Sequence, residues 1–162
     1  MITTTLNRIR ACDPCASGWS KLLAGLGKTA ADDKPLPYAE IVRTNGIDDA
    51  LWACRAEPQH AREWRLFAVW CGRKVQHLMT DPRSIAALDV ADRYANGDAT
   101  ATELDAAWDA AAWDAVAWDA ARAAVRAAAW AAARDATWAA AAWAAARDAQ
   151  TVEFLRIVGE AA

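Results

Sequence analysis

Neither glycine nor proline occurs between Gly97 and Gly159, so that whole stretch lacks the two residues that most readily turn or break a chain. Phenylalanine and tyrosine are scarce, two of each, although there are ten tryptophans. Histidine is scarce too: His60 and His77 lie on one predicted helix, about five turns apart, and cannot meet within it as a catalytic dyad. No N-terminal stretch joins a basic start to an apolar core and a small-residue cleavage site, so no secretion signal is expected. No long apolar run is free of charge either. Asp or Arg recurs every few residues from Ala99 to Ile157, a density that a bilayer core does not tolerate. The sequence therefore predicts a soluble, cytoplasmic chain with no membrane partner.

The devices of common catalysis are missing as well. Gly25-Leu-Gly27-Lys28-Thr29 lacks the upstream glycine and the preceding strand of a phosphate loop. Ser17, Ser20 and Ser84 have no nucleophile-elbow context. Four cysteines outside a secretory context read as thiols rather than disulfides. Cys12-Asp-Pro-Cys15 is the one close pair. Zinc would need a second, yet Cys54, Cys71, His60 and His77 come singly. A redox pair would want a strand before it, so packed thiols are expected. No catalytic residue, metal or cofactor is assigned, and the chain reads as non-enzymatic.

What is present fits one all-helical domain over residues 1–162, with a short-helix half (1–97) and an Ala/Trp-rich helical half (98–162). The net charge of −3 is too mild for a surface that grips duplex nucleic acid. It is unevenly spread: 13 Lys/Arg face 11 Asp/Glu before residue 98, and 5 face 10 after it. In the first half, Asp13-Pro14 reads as cap and first residue of a helix carrying Trp19, Leu22 and Leu23, stopped by Gly25 and Gly27. A short helix with Tyr38, Ile41 and Val42 inward should end at Asn45-Gly46. Asp48 or Asp49 should cap the next, through Leu51 and Trp52. Pro58 opens a helix to about Thr80 whose core stripe is Trp64, Phe67, Ala68, Cys71, Val75 and Leu78, with Trp70 off it. Asp81-Pro82 starts another, ending at Asn96-Gly97. No segment alternates long enough to be a convincing strand.

The second half opens on Thr100-Ala-Thr-Glu103, the pattern of a capping box. Alanine, the strongest helix former, then supplies 28 of the 51 residues from Ala99 to Ala149. Trp108, Trp113 and Trp118 recur every five residues and so point three ways about a helix axis. With Trp130, Trp138 and Trp143 they are expected to wedge between close-packed alanine backbones. One unbroken helix to Ile157 would be ~85 Å long, so a bend near Arg134–Thr137 is expected, giving two helices. Val152, Phe154, Leu155, Ile157 and Val158 form an amphipathic tail that should dock on the first half. Asp105, Asp109, Asp114 and Asp119, with Arg122, Arg126, Arg134 and Arg147, read as charges that keep an alanine helix soluble rather than as a carboxylate site.

Tryptophan and arginine dominate interface hot spots, and indole with arginine also suits a nucleotide, whose base stacks while its phosphate is held. Trp52, Trp64, Arg65, Trp70, Arg73 and Lys74 are the candidate binding residues for either. So much alanine and tryptophan surface also predicts a homodimer.

Several segments resemble a known family. Arg10-Ala-Cys12-Asp-Pro-Cys15-Ala-Ser-Gly18-Trp19 is similar to its start, and Gly46-Ile-Asp-Asp-Ala-Leu-Trp52 to its Asp-x-Ala-x-Trp segment. Asp81-Pro82-Arg83-Ser-Ile-Ala-Ala resembles its Asp-x-Arg-Pro-Arg-x-Ala-Ile helix start. The arginine before that motif's proline is missing here, which weakens any role for Arg83. The alanine run closing in Asp148-Ala-Gln-Thr-Val-Glu-Phe-Leu155 is similar to its second half. This is the alanine-rich immunity-protein family of bacteria and phages. The resemblance implies an inhibitor that binds and neutralises a toxin or a defence component. The alternative it implies is a phage-type sponge that sequesters a small nucleotide immune signal; an enzyme is a distant third.

Overall fold

The computed structural model describes residues 1–112 and 136–159, with backbone alone at Val75, Leu78, 110–112 and 136–141. Its fold is essentially all-α: α1 (Leu6–Ala11), α2 (Ala16–Gly25), α3 (Tyr38–Asn45), α4 (Ile47–Ala53), α5 (Ala61–Val75), α6 (Pro82–Asn96), α7 (Ala101–Ala112) and α8 (Ala136–Ile157). Short 3-10 turns at Cys54–Ala56, Pro58–His60 and Gln76–Leu78 join several of them. The chain divides into two compact units, Met1–Trp64 with Arg147–Ala162, and Arg65–Ala146.

The first unit is tied by backbone at both ends of the chain. Two-residue strands β1 (Thr3–Thr4) and β2 (Leu36–Pro37) pair antiparallel, with Thr3 opposite Pro37 and Thr4 opposite Leu36. They are too short for alternation to reveal them. Ile2 N–H donates to the Val158 carbonyl at 2.6 Å, so the C-terminal segment joins the same edge. Leu6, Ile9, Leu22, Leu36, Tyr38, Ile41, Ile47 and Ala50 are buried, and Phe154 and Val158 with them. The tail's amphipathic spacing thus ends in a docked helix, held also by an Arg147–Asp48 ion pair. Tyr38, Trp64 and Phe154 form an aromatic centre, with Tyr38–Trp64 centroids at 5.3 Å, Tyr38–Phe154 at 5.7 Å and Trp64–Phe154 at 6.1 Å. Each such pair contributes about 0.5–1.5 kcal/mol beyond the area it buries.

Two local expectations change here. The cap of α2 is Cys15, whose thiol accepts from the Gly18 N–H; Asp13 instead takes a left-handed turn with φ 56°. Aspartate tolerates that region because its short side chain can satisfy nearby backbone. Gly25 is the last residue of α2 and Gly27 follows at φ 65°, so this helix stops where expected. A Cβ on Gly25 would also meet Thr44 Cγ2 at 2.6 Å, so its smallness lets α2 approach α3 closely. Asp48 and Asp49 do not cap α4: its cap is Gly46, and the two carboxylates sit in the first turn, where the helix dipole favours negative charge.

In the second unit, Asp81 caps α6 by accepting from the Arg83 N–H at 2.9 Å, and Gly97 closes it at φ 83°. The predicted capping box is present: the Glu103 N–H donates to Thr100 Oγ1 at 3.2 Å, and the Thr100 N–H to Glu103 Oε2 at 2.8 Å. On α5, Phe67 and Val69 are buried and Ala68 is exposed, so the apolar stripe excludes Ala68. The wedge expectation fails where it can be read. Trp108 is 63% exposed and Trp143 is 69% exposed. Alanine neighbours leave an indole little side-chain volume to pack against. Trp113, Trp118, Trp130, Asp114, Asp119, Arg122, Arg126 and Arg134 lie outside the described residues, as do 134–135 of the expected bend; Trp138 is described by backbone alone. Asp105 and Asp109 are exposed. Among the described residues, no helix is long and apolar enough to cross a membrane.

Candidate functional site

The six sequence-selected residues divide between the two units. Trp52 and Trp64 belong to the first, and Arg65, Trp70, Arg73 and Lys74, all on α5, to the second. Trp64 is structural in its contacts: besides its aromatic partners, its indole N–H donates to the Glu57 carbonyl at 3.0 Å. Trp52 lies under the Arg55 guanidinium, 4.3 Å from the ring centroid. It also lines a small apolar pocket with Cys15, Trp19, Leu22, Asn45 and Asp49.

The second unit builds a groove from small residues at helical spacing. It is lined by Arg65, Ala68 and Val69 of α5 and Ala87, Leu88 and Ala91 of α6, together with Trp108 of α7. Gly72 lets α5 close on α6, since a Cβ there would meet Leu88 Cδ2 at 2.6 Å. The capping box and the Arg93–Glu103 ion pair, at 3.3 Å, set where α7 begins and so where Trp108 projects. The Arg65 guanidinium lies over the Tyr94 ring at 4.6 Å, a cation–π contact that leaves its N–H donors available around its edge. The sequence points to Arg65 by residue type, whereas its expectation for Trp108 is a ring wedged between alanine backbones. The usable signal was the alanine around Trp108, which cannot bury it.

The other α5 candidates are engaged nearby rather than gathered into one cluster. Trp70 stacks on buried Phe67 at 6.3 Å, and Lys74 Nζ sits 5.0 Å from its ring. Arg73 donates to Asp89 at 2.6 Å and to Gln76 at 2.9 Å, so its charge is neutralised within the unit. One acid escaped sequence reasoning altogether. Glu57 is only 1% exposed, ion-paired to Arg8 at 3.0 Å, while its other carboxylate oxygen, Oε1, has no hydrogen-bond partner.

The thiols differ sharply in environment. Cys54 donates to the Ala50 carbonyl at 3.5 Å, and burial pushes its pKa up to about 12. Cys15 is exposed, contrary to the packed-thiol expectation. Hydrogen bonds from the Ser17 hydroxyl, first, and the Gly18 N–H hold its pKa below the ordinary value. Among the described residues, no three His, Cys, Asp or Glu side chains converge as a metal would require. Compared with known proteins, the chain matches no family model, no curated protein and no solved structure.

Proposed function

We propose that this chain is a non-enzymatic helical binding protein, an immunity or anti-defence inhibitor that neutralises a macromolecular partner held in the α5–α6–α7 groove. One observation carries the reading: a solvent-exposed indole, Trp108, and a guanidinium, Arg65, line one groove together with apolar alanine, valine and leucine side chains. Aromatic and arginine anchors around a desolvated patch are what gives protein interfaces their few decisive contacts. The groove suits the apolar face of a partner's helix or strand. The neutralising role and the toxin or defence component as partner come from the family resemblance, while the cytoplasmic setting rests on the lack of a secretion-signal pattern in the sequence. Homodimerisation belongs to the same proposal, with sedimentation as its check.

The same groove supports a second reading, sequestration of a small nucleotide signal, because an open indole can stack a base while Arg65 meets a phosphate. A single cation in an apolar groove favours the protein partner. Capture from the natural host with wild type and Trp108→Ala tests the first reading. The variant should retain its fold and lose the partner; an undiminished complex would refute the groove. Titration with cyclic and ADP-ribose-type nucleotides, followed by tryptophan fluorescence, tests the second, and quenching that Trp108→Ala abolishes would favour it. Turnover of such a nucleotide by clean protein would point instead to an enzyme.

A further inference from the structure

We propose that Cys12 and Cys15 form a thiol-exchange site that reacts with low-molecular-weight disulfides such as oxidised glutathione, Cys15 attacking first and Cys12 resolving the adduct into an internal bridge. The placement of the pair carries this. Cys12 is the C-terminal cap of α1 and Cys15 the N-terminal cap of α2, so neither thiol lies within a helix. Only Asp13, in its left-handed turn, and Pro14 separate them. A bridge would therefore strain a four-residue link and leave both helices' internal hydrogen bonds intact.

The two thiols are also unequal in the way such a site needs. Cys15 is exposed, and its sulfur already accepts from the Gly18 N–H at 3.4 Å, an arrangement that stabilises the thiolate. Cys12 is half-buried. Cys54, half-buried and bonded to a carbonyl, makes a poor competitor. Cys15 also edges the pocket holding Trp19 and Trp52, so its chemistry reports on two indoles.

The exchange balances without a further reagent. The Cys15 thiolate attacks one sulfur of oxidised glutathione; that S–S bond breaks, and one glutathione leaves as thiolate with the electron pair. Cys12 then gives its proton to solvent and attacks the Cys15 sulfur, expelling the second glutathione. The protein has lost two protons and two electrons, which depart in two molecules of reduced glutathione.

The test incubates the full chain with oxidised glutathione, quenches at intervals with acid, alkylates, and maps the cysteines by mass spectrometry. Wild type should show a transient glutathione adduct on Cys15 that gives way to a Cys12–Cys15 disulfide, with a change in tryptophan emission. Cys12→Ser should accumulate the Cys15 adduct. A wild-type time course showing no reaction at Cys15, first attack at Cys12, or a Cys15 adduct that persists unresolved overturns the proposal whatever the variant does.

Discussion

Aromatic residues in this chain divide by what surrounds them, and stability should divide the same way. Phe154 is fully buried and touches both Tyr38 and Trp64. Replacing it by alanine removes a large apolar surface and leaves a cavity that the rigid ring cluster cannot collapse into. Phe154→Ala should therefore cost about 3–5 kcal/mol in a urea titration. Trp108→Ala exposes no core and should stay within about 0.5 kcal/mol of wild type. A comparable loss from both would mean that the Trp108 indole is packed after all. The contrast matters for function, since a tryptophan that adds nothing to folding is available to a partner.

At the scale of the element, the start of α7 is where local chemistry is most completely specified. Thr100→Ala deletes the hydroxyl that accepts from the Glu103 N–H and should cost about 1 kcal/mol, read from the shift in denaturant midpoint. The reciprocal arm is ionic. The Thr100 N–H, then its hydroxyl, and Arg93 hold the Glu103 carboxyl below its usual pKa. A depressed folded-state pKa gives stability that is present above the unfolded value and lost as pH falls through the folded one. Wild type should exceed Glu103→Gln in stability at neutral pH, and the gap should close on acidification; a gap constant with pH would show that the carboxylate is not the source.

Such signals explain which elements were legible. Asp81-Pro82, Asn45-Gly46 and Thr100–Glu103 act through bonds spanning a few residues, so the sequence carries them whole. The Cys15 cap was missed because Asp13-Pro14 offers an equally good local pattern, and only the left-handed turn at Asp13 decides between them. The strand pair was missed because its two residues a side are held by long-range partners. At the site, Arg65 was legible from its residue type, whereas Trp108 depended on how little its alanine neighbours can cover. The buried Glu57 is partnered by Arg8 and Gln59, contacts that no periodicity announces.

For the molecule as a whole, the first unit is discontinuous: it needs residues 147–159 to complete a core begun at Leu6. Phe154 supplies one side of the aromatic centre, and Val158 is buried while its carbonyl receives the Ile2 N–H. A chain ending at Ala146 would leave Tyr38 and Trp64 facing water where Phe154 had been. It would also lose the Arg147–Asp48 pair, whose exposed aspartate makes it the lesser contribution. Burial of the two apolar side chains alone is worth about 3–6 kcal/mol, a large part of the 5–15 kcal/mol typical of a small domain. The truncated chain should therefore lose the cooperative melting of its first unit, followed by near-ultraviolet circular dichroism of the tyrosine and tryptophan bands. Adding residues 147–162 back as a separate peptide should restore part of that signal in a concentration-dependent way. A truncation that melts as cooperatively as the full chain would show that the first sixty-four residues close their own core, and that the C-terminal helix merely lies on it.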